Sequence, residues 1–275
     1  MKTRMFQWMM AATLICGAAF FTACIDKNDD PYGPVIENLD QKIVGKWIVN
    51  DLDGQPAPTN KKIVFTFVSA TKAYMTASLN WNSKIAPRWL EKEAYDVAID
   101  GDLVTLSTQR DAHTTVMHEF AVIDIDDTEF TTEETFTKTV DGEVVATQEE
   151  VVRFLKVNSD YTEAIIGTWQ GHCTSEGSVF DDGQEHRWQY KADGTYVYYR
   201  LDDNNEWQPS TDTLNEYFVD GNLLCTRWSN AGSDVENREW WEITIDHNNQ
   251  MKWTALRQDD KGGTFTASFE MTKVN

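Results

Sequence analysis

Positive charge is scarce in this sequence. Lys and Arg together number 24 against 45 Asp and Glu, which gives a formal net charge of −21 at pH 7. A surface this acidic repels phosphate backbones and anionic head groups, so nucleic-acid binding is disfavoured. The acids occur as dispersed pairs at predicted turns, which is typical of a solvated surface, and no twelve-residue loop with EF-hand spacing accompanies them.

Motifs for catalysis and for metal binding are also missing. The sequence contains no Gly-x-Ser-x-Gly motif, no phosphate loop and no dinucleotide fingerprint. The five His are scattered, and no pair has metal-ligand spacing with a Cys or carboxylate partner. We therefore predict no catalytic residue, no metal site and no cofactor, and we interpret the chain as a non-enzymatic protein.

Helical periodicity is absent over any long window, and Pro is limited to six residues. In its place, apolar and polar residues alternate with a period of two, and Asp-Gly pairs interrupt the alternation throughout the chain. This combination predicts an all-β protein.

The first 23 residues are typical of a secretory signal peptide. Lys2 and Arg4 precede an apolar run over 6–21 that is too short for a comfortable transmembrane span of ~20 apolar residues. Cleavage after Ala23 would leave 22 basic residues (24 minus 2) against 45 acidic ones, a net charge of −23.

The cleavage point resembles a bacterial lipobox. Residues 21–24 read Phe-Thr-Ala-Cys, with Phe21 in place of the usual aliphatic residue. The resemblance implies that Cys24 becomes the first mature residue and carries lipid, palmitate included, which would anchor the chain to a membrane. The alternative is an ordinary signal peptide followed by a coincidental Cys.

Residues 24–39 are predicted to form a solvated tether, because they are charged and contain two Pro and a Gly. Their Asp- and Lys-rich start also resembles the acidic export signal that sends some Gram-negative lipoproteins to the outer leaflet. A plain spacer is the alternative. We expect a cell-envelope protein anchored in the outer membrane, either periplasmic or surface-exposed.

The remainder of the sequence contains an internal repeat. The pattern Ile-x-Gly-x-Trp occurs at 43–47 and again at 165–169. An Asp-Gly turn follows each Trp at a similar interval, 54 residues to Gly101 and 52 residues to Gly221. Both halves end in Lys-Val-Asn. These agreements indicate a duplication.

Each half contains turn signals for about eight short strands. An antiparallel meander must hide its edge strands, and closure into a barrel is the simplest way to do so. We therefore predict two tandem up-and-down antiparallel β-barrels, at 40–158 and 162–275. A Gly-x-Trp on the first strand of such a meander resembles the lipocalin/calycin superfamily, and more narrowly the lipocalin-like domains of bacterial lipoproteins.

That resemblance implies a structural role for Trp47 and Trp169. In the family, this Trp packs at the closed end of the barrel beneath a basic residue from the last strand. Arg153 is the candidate for the residue above Trp47, and Lys273 is the candidate for the residue above Trp169.

Turn positions predict which rings face the interior of the second half. If Asp193-Gly194 is a two-residue hairpin loop, Trp188, Tyr190 and Tyr199 share the inward face. The same reasoning around other turns completes the predicted interior set: Trp188, Tyr190, Tyr199, Tyr217, Trp228, Trp241 and Trp253.

Two interpretations of these rings are open. They either fill the core or line a pocket at the open end of the barrel for a flat or apolar molecule. The predicted ligand contacts in the second case are Trp188, Tyr190, Tyr199, Trp228 and Trp241.

The same count places a second group of rings on the outward face: Tyr196, Tyr198, Phe218 and Trp240. These rings either pack between the two barrels or form a surface that stacks on glycans or grips a partner protein.

Cys173 and Cys225 are predicted to lie on strands across the barrel from one another, with Cys173 inward and Cys225 outward. A disulfide needs Cα atoms less than ~7 Å apart, so we predict that both remain reduced thiols.

The sequence thus predicts a lipid-anchored outer-membrane protein that binds a small apolar or aromatic ligand or serves as a scaffold. The alternative is a cell-surface module that recognises a glycan or a protein through its outward rings.

Overall fold

Two β-sheets make up nearly all of the structure, a computed structural model that describes residues 36–79, 88–175, 180–258 and 263–274. The only helices in these ranges are α1, a single turn at Leu39–Lys42, and a 3-10 turn at Thr59–Lys61. The prediction of an all-β protein with two tandem barrels is confirmed. The predicted signal peptide, Cys24 and most of the tether lie outside the described residues.

Barrel 1, formed by residues 45–156, is a closed antiparallel meander. Its strands are β1 (Gly45–Leu52), β2 (Gln55–Pro56), β3 (Val64–Ser69), β4 (Lys72–Leu79), β5 (Arg88–Asp100), β6 (Leu103–Gln109), β7 (Thr114–Ile125), β8 (Glu129–Val140) and β9 (Glu143–Lys156). Strand β1 pairs with β3 on one side and with β9 on the other, which closes a ring of eight strands; the two-residue β2 only extends β1.

Barrel 2, formed by residues 167–274, is a second curled meander. Its strands are β10 (Gly167–Cys173), β11 (Glu185–Tyr190), β12 (Tyr196–Leu201), β13 (Trp207–Pro209), β14 (Thr213–Asp220), β15 (Leu223–Ser229), β16 (Glu236–Ile245), β17 (Gln250–Gln258) and β18 (Thr264–Val274). The sheet order runs from β13 through β12, β11, β10, β18, β17, β16 and β15 to β14.

The two ends of the barrel 2 sheet meet over a short distance only. Thr195 and Glu216 form a single bridge, and Tyr217 N donates to Gly194 O over 2.8 Å. Beyond this point, β14 carries a register shift between Thr213 and Glu216. Strands β12 and β14 of barrel 2 are therefore hydrogen-bonded at one place and do not pair along their full length.

The repeated Trp has the same surroundings in both barrels. Trp47 Nε1 donates to Ile43 O over 2.7 Å, and Trp169 Nε1 donates to Ile165 O over 2.6 Å. Both indoles have no solvent exposure. Each ring thus ties the segment that enters its barrel to the first strand.

A lysine from the last strand covers each of these rings. Lys273 Nζ lies 5.2 Å from the centroid of the Trp169 ring, as predicted. The prediction of Arg153 above Trp47 is wrong, because Lys156 occupies that place with Nζ 5.0 Å from the ring centroid. The cross-strand register explains the difference: Trp47 pairs directly with Lys156, whereas Arg153 pairs with Asp51 and binds its carboxylate over 2.5 Å.

The Gly of each Gly-x-Trp leaves room for that lysine. A Cβ on Gly45 would lie 3.2 Å from Lys156 Cε, and a Cβ on Gly167 would lie 2.5 Å from Lys273 Cε. Both glycines also have positive φ angles, 143° and 133°, which disfavour a side chain.

Six buried Phe rings pack inside barrel 1: Phe65, Phe67, Phe120, Phe130, Phe136 and Phe154. Phe130 stacks on Phe154 with ring centroids 4.4 Å apart, and it meets the Trp47 ring edge-on at 5.0 Å. Side chains therefore occupy this level of the barrel, as an eight-stranded barrel allows.

An apolar cluster joins the outer faces of the two barrels. Its buried members are Ile48, Val64, Phe218, Leu223, Cys225 and Trp240. The predicted outward placement of Phe218, Trp240 and Cys225 is confirmed, and the first interpretation of the two rings, contact between barrels, is the one observed. Cys173 instead lies in the interior cluster of barrel 2, and both Cys are thiols, as predicted.

Polar contacts surround that apolar cluster. Lys46 of barrel 1 forms ion pairs with Asp220 and, over 3.1 Å, with Asp160. Lys62 pairs with Glu242 over 3.0 Å. The interface is thus an apolar centre with a charged border, as in other stable protein contacts.

Replacing Trp169 with Phe should lower the free energy of unfolding by about 2–4 kcal/mol, because it removes buried volume and leaves Ile165 O without its donor. Trp207→Phe is the matched control: this ring is only partly buried and should cost less than about 1 kcal/mol. Urea unfolding followed by far-UV circular dichroism measures both. Equal losses in the two variants would contradict the role assigned to Trp169.

Candidate ligand-binding site

Barrel 2 contains a cavity of about 730 Å³. This volume lies within the range of ~300–1,000 Å³ that small-molecule sites occupy. Strands β11, β12, β13, β15, β16, β17 and β18 all contribute to its wall, together with the loop before β14. The cavity lies where the pairing between β12 and β14 is interrupted, since both Tyr198 and Asp212 line it.

Four large rings form one continuous apolar wall of the cavity. Trp253 lies between Trp188 and Trp241, with ring centroids 4.8 and 5.3 Å away respectively. Phe269 meets all three indoles at 5.5–5.7 Å. These residues stand on four different strands, so the barrel scaffold fixes their positions. Such a wall suits the face of a flat or apolar molecule.

The hairpin between β11 and β12 differs from the prediction. It has a three-residue loop, Ala192-Asp193-Gly194, closed by a hydrogen bond from Lys191 N to Thr195 O over 2.9 Å. Gly194 takes the left-handed conformation with φ 80°, and Asp193 Oδ1 accepts from Thr195 N over 3.0 Å. A three-residue loop ending in a left-handed Gly is the next most common hairpin after the two-residue type.

One extra loop residue moves every side chain of β12 to the opposite face. Tyr196 now pairs with Tyr190, and Tyr198 pairs with Trp188. Tyr196 and Tyr198 therefore line the cavity, and their predicted outward placement is wrong. Tyr199, predicted to face inward, lies on the outward face, where its hydroxyl donates to Gln189 Oε1 over 3.2 Å.

Of the other predicted ligand contacts, three lie in the cavity wall and one lies in the core of barrel 2. Trp188, Trp228 and Trp241 line the cavity. Tyr190 is 1% exposed and packs against Tyr217, with ring centroids 4.8 Å apart. It belongs to the core rather than to the cavity wall.

A chain of polar side chains crosses the cavity wall. Asp182 Oδ1 lies 3.0 Å from His186 Nε2, and His186 Nδ1 lies 2.6 Å from the Tyr198 hydroxyl. The carboxylate can only accept, so the network assigns the proton to Nε2 and makes Tyr198 the donor to Nδ1. Arg200 Nε donates to the Tyr198 oxygen over 2.9 Å.

The surroundings of this chain shift the pKa values of its two end members in opposite directions. Burial raises the pKa of Tyr198, and the opposing effect of Arg200 does not cancel it. The phenol therefore keeps its proton at neutral pH. Burial works against ionisation of Asp182, but hydrogen bonds from Gln184 N and His186 outweigh it and lower the pKa of that carboxyl.

Glu239 brings a second, partly buried carboxyl group to the wall, and Arg257 pairs with it. The two form an ion pair, and the Arg257 guanidinium lies 4.7 Å from the centroid of the Trp241 ring. Burial raises the pKa of Glu239 despite that partner. Within the described ranges, no cluster of three or more His, Cys, Asp or Glu could hold a metal ion.

No sequence pattern predicted the polar chain of Asp182, His186 and Tyr198. Asp182 lies in the loop before β11, and the spacing from Asp182 to His186 has no periodic meaning in an extended segment. Trp253 was predicted to face inward but was not singled out as a contact, although it is the ring between the other two tryptophans.

Barrel 1 holds a separate polar cluster above its Phe rings. His118 Nδ1 lies 2.7 Å from Glu134 Oε1, and both side chains are at most 5% exposed. Burial, followed by the charge of Glu134, raises the pKa of the nearby Glu150 from its ordinary value of 4.5 to about 7. This cluster lies apart from the cavity of barrel 2.

No protein-family model matches the chain, and no curated protein matches it either. Among solved structures, it is similar to a protein assigned as AttH from Nitrosomonas europaea, with a TM-score of 0.23 and 10% identity over 87% of this chain and 97% of the other. A double mutant of the vaccine antigen transferrin-binding protein B from Haemophilus parasuis gives a TM-score of 0.24 and 9% identity, over 84% and 58% of the two chains. Similarity at this level carries no conclusion about ligand or activity.

None of the helices in the described ranges is long and apolar enough to cross a membrane.

Replacing Glu150 with Gln should stabilise the protein at high pH. A carboxyl whose folded pKa of about 7 exceeds its unfolded value of 4.5 destabilises the fold when ionised. The loss of unfolding free energy caused by this ionisation is absent below the unfolded pKa of 4.5. It grows as the pH rises and reaches its full value above the folded pKa of about 7. Because the group is partly exposed, we expect a gain of about 1 kcal/mol at pH 8.5 and little at pH 4.

Urea unfolding at the two pH values measures this gain, and Glu149→Gln, the exposed neighbour, is the control. A gain that is the same at both pH values would show that ionisation of Glu150 is not its cause.

Proposed function

We propose that this chain is a non-enzymatic binding protein whose barrel 2 holds a small apolar or aromatic ligand. The observation that carries the proposal is the cavity of about 730 Å³ with a continuous wall of Trp188, Trp253, Trp241 and Phe269. Ligand sites are mostly apolar with a few placed polar groups, and the chain Asp182–His186–Tyr198 supplies such groups here.

The wall supports a flat ligand in particular. Stacked or edge-on ring pairs contribute ~0.5–1.5 kcal/mol each beyond simple burial, and a planar molecule meets several of these rings at once. The polar chain on β11 and β12 would orient such a ligand by hydrogen bonds. The single proton of Tyr198 is donated to His186 Nδ1, which holds the polar chain in one orientation.

Barrel 1 has a scaffold role in this proposal. Its interior is occupied by Phe rings, and the Phe218–Trp240 cluster with the Lys46–Asp220 pair attaches it to barrel 2. Support for the alternative, surface recognition through outward rings, is weaker. Tyr196 and Tyr198 line the cavity, while Phe218 and Trp240 are buried between the barrels.

The proposal also places the chain at the cell envelope, anchored in the outer membrane through lipid on Cys24. Its support is the sequence alone: the signal-like start, the lipobox-like residues 21–24 and the charged tether that follows.

Replacing Trp188 with Ala should weaken binding of a neutral planar dye, N-phenyl-1-naphthylamine, by about tenfold or more, because it removes one end of the ring wall. Dye fluorescence titrations measure this. Trp207→Ala is the matched control and should leave the affinity unchanged, since Trp207 stacks on Arg187 away from the cavity.

Saturable binding that is equal in the two variants would move the site elsewhere, and no saturable binding would contradict the proposal. Organic extraction of the purified wild-type protein followed by mass spectrometry would identify a ligand retained from the cell.

Replacing Cys24 with Ala should abolish incorporation of radiolabelled palmitate and release the protein from the membrane fraction. Cys16→Ala, a change within the predicted signal peptide, should leave both unchanged. Labelling of the Cys24→Ala protein at the wild-type level would rule out Cys24 as the acylated residue.

A further inference from the structure

Two side chains of opposite charge line the cavity of barrel 2 without pairing with each other. Arg200 lies on β12, on the same inward face as Tyr196 and Tyr198. Asp212 lies in the loop between β13 and β14. In the part of the chain that the structure describes, no ion pair joins these two side chains, and neither has another partner of opposite charge.

The guanidinium of Arg200 keeps most of its hydrogen-bond donors available. Its Nε donates to the hydroxyl oxygen of Tyr198 over 2.9 Å, and that oxygen belongs to a neutral phenol. The two Nη atoms carry the remaining donors, and no described residue accepts from them. Arg200 is an exposed residue, so a ligand in the cavity can reach these atoms.

An arginine without a carboxylate partner is uncommon in this chain, where acids outnumber bases by 45 to 24. Five other arginines form ion pairs with Asp or Glu: Arg110, Arg153, Arg227, Arg238 and Arg257. Arg187 donates to Gln170 and stacks on Trp207, outside the cavity lining. Among the arginines whose side chains the structure describes, Arg200 alone lines the cavity and lacks a carboxylate.

Asp212 is the matching carboxylate. Ser210 Oγ donates to its Oδ2 over 2.6 Å, and no described Lys or Arg binds it. Hydrogen bonding to Tyr198 is the first cause that raises the pKa of Arg200, and the charge of Asp212 raises it further. Arg200 and Asp212 therefore act on each other electrostatically, although they form no ion pair.

The other two carboxylates of the lining have stronger partners. Asp182 Oδ1 accepts from Gln184 N and lies 3.0 Å from His186 Nε2. Glu239 is paired with Arg257. Asp212 is thus the lining carboxylate that remains available to a cationic group of a ligand.

We propose that the ligand of barrel 2 is an aromatic zwitterion: a planar ring whose side chain carries a carboxylate and an ammonium a few atoms apart, as in an aromatic amino acid. The ligand carboxylate pairs with Arg200, the ammonium pairs with Asp212, and the ring lies against Trp188 and Trp241. This inference rests on the proposed function and specifies the ligand class for the same site.

A ligand with a single charge fits this pair of residues less well. An anion would pair with Arg200 but would come close to the carboxylate of Asp212, and a cation would pair with Asp212 but would meet the guanidinium of Arg200. Like charges brought together with partial loss of hydration weaken binding. A carboxylate also suits the planar guanidinium, which donates two parallel hydrogen bonds to it and thereby orients the ligand.

Four indole compounds test this inference, because they share one ring system and differ in charge. At pH 7.4, L-tryptophan carries both charges, indole-3-propionate carries only the carboxylate, tryptamine carries only the ammonium, and indole carries neither. Calorimetric titrations of the full mature chain give their affinities. We expect L-tryptophan to bind about fivefold or more tightly than indole-3-propionate and tryptamine, since it alone makes both ion pairs.

Two variants separate the two charges. Arg200→Gln should lower the affinity for indole-3-propionate relative to indole by about fivefold and should not weaken tryptamine. Asp212→Asn should lower the affinity for tryptamine relative to indole by a similar factor and should not weaken indole-3-propionate. Both variants should weaken L-tryptophan. A variant that only disturbs folding weakens all four compounds, so this crossed pattern separates charge recognition from a structural effect.

Lys191→Gln and Asp203→Asn are the matched controls. Each removes the same charge from an exposed residue of barrel 2 that does not line the cavity. All four affinities should stay within about twofold of the wild type, because screening by salt weakens the effect of distant charges.

Tighter binding of indole-3-propionate or of tryptamine than of L-tryptophan would overturn the inference in favour of a singly charged ligand. A loss in either cavity variant that is equal for indole-3-propionate and tryptamine would overturn it as well. If indole and N-phenyl-1-naphthylamine bind but charge has no effect, only this inference fails. If neither of these neutral compounds nor L-tryptophan binds, the proposed function fails too.

Discussion

The fold depends on the contact between a buried tryptophan, the glycine two residues before it and the lysine opposite it on the last strand. In both barrels the Trp pairs directly across the ladder with that lysine, at Trp47–Lys156 and Trp169–Lys273. The indole N–H fixes the incoming chain, while the ammonium lies about 5 Å from the ring. This contact specifies the register in which the first and last strands of each barrel meet.

The two barrels share this Trp–Lys contact and differ in the side chains of their interiors. In barrel 1 every strand of the ring pairs with both neighbours, and Phe rings such as Phe130 and Phe154 stack inside it. Barrel 2 is joined between β12 and β14 only near Thr195 and Glu216, and three indoles, Trp188, Trp241 and Trp253, pack around Phe269 there. The indoles of Trp188, Trp253 and Trp241 form one wall of a cavity, whereas the Phe rings of barrel 1 pack against one another. The cavity follows from these two differences together.

Sequence patterns predicted the fold well because the repeat, the Gly-x-Trp and the period-two alternation are local signals. The candidate site was harder to predict. The face of Tyr198 depended on whether one hairpin loop holds two residues or three, and Asp193-Gly194 is compatible with both. Arg153 and Lys156 were both basic residues on the right strand, and only the ladder register separates them. Asp182 reaches His186 through the path of a loop, which no periodicity encodes.

The row of Trp188, Trp253 and Trp241 has a consequence beyond recognition. Indoles whose centres are 4.8 and 5.3 Å apart and whose planes are inclined by 53° and 36° share their excited states. Such a chiral array couples its transition dipoles, so light absorbed by one ring is delocalised over its neighbours. The near-UV circular dichroism of these coupled indoles therefore reports on how the three rings are arranged. Because the same rings form the cavity wall, this signal follows the wall of the proposed ligand site without an added label.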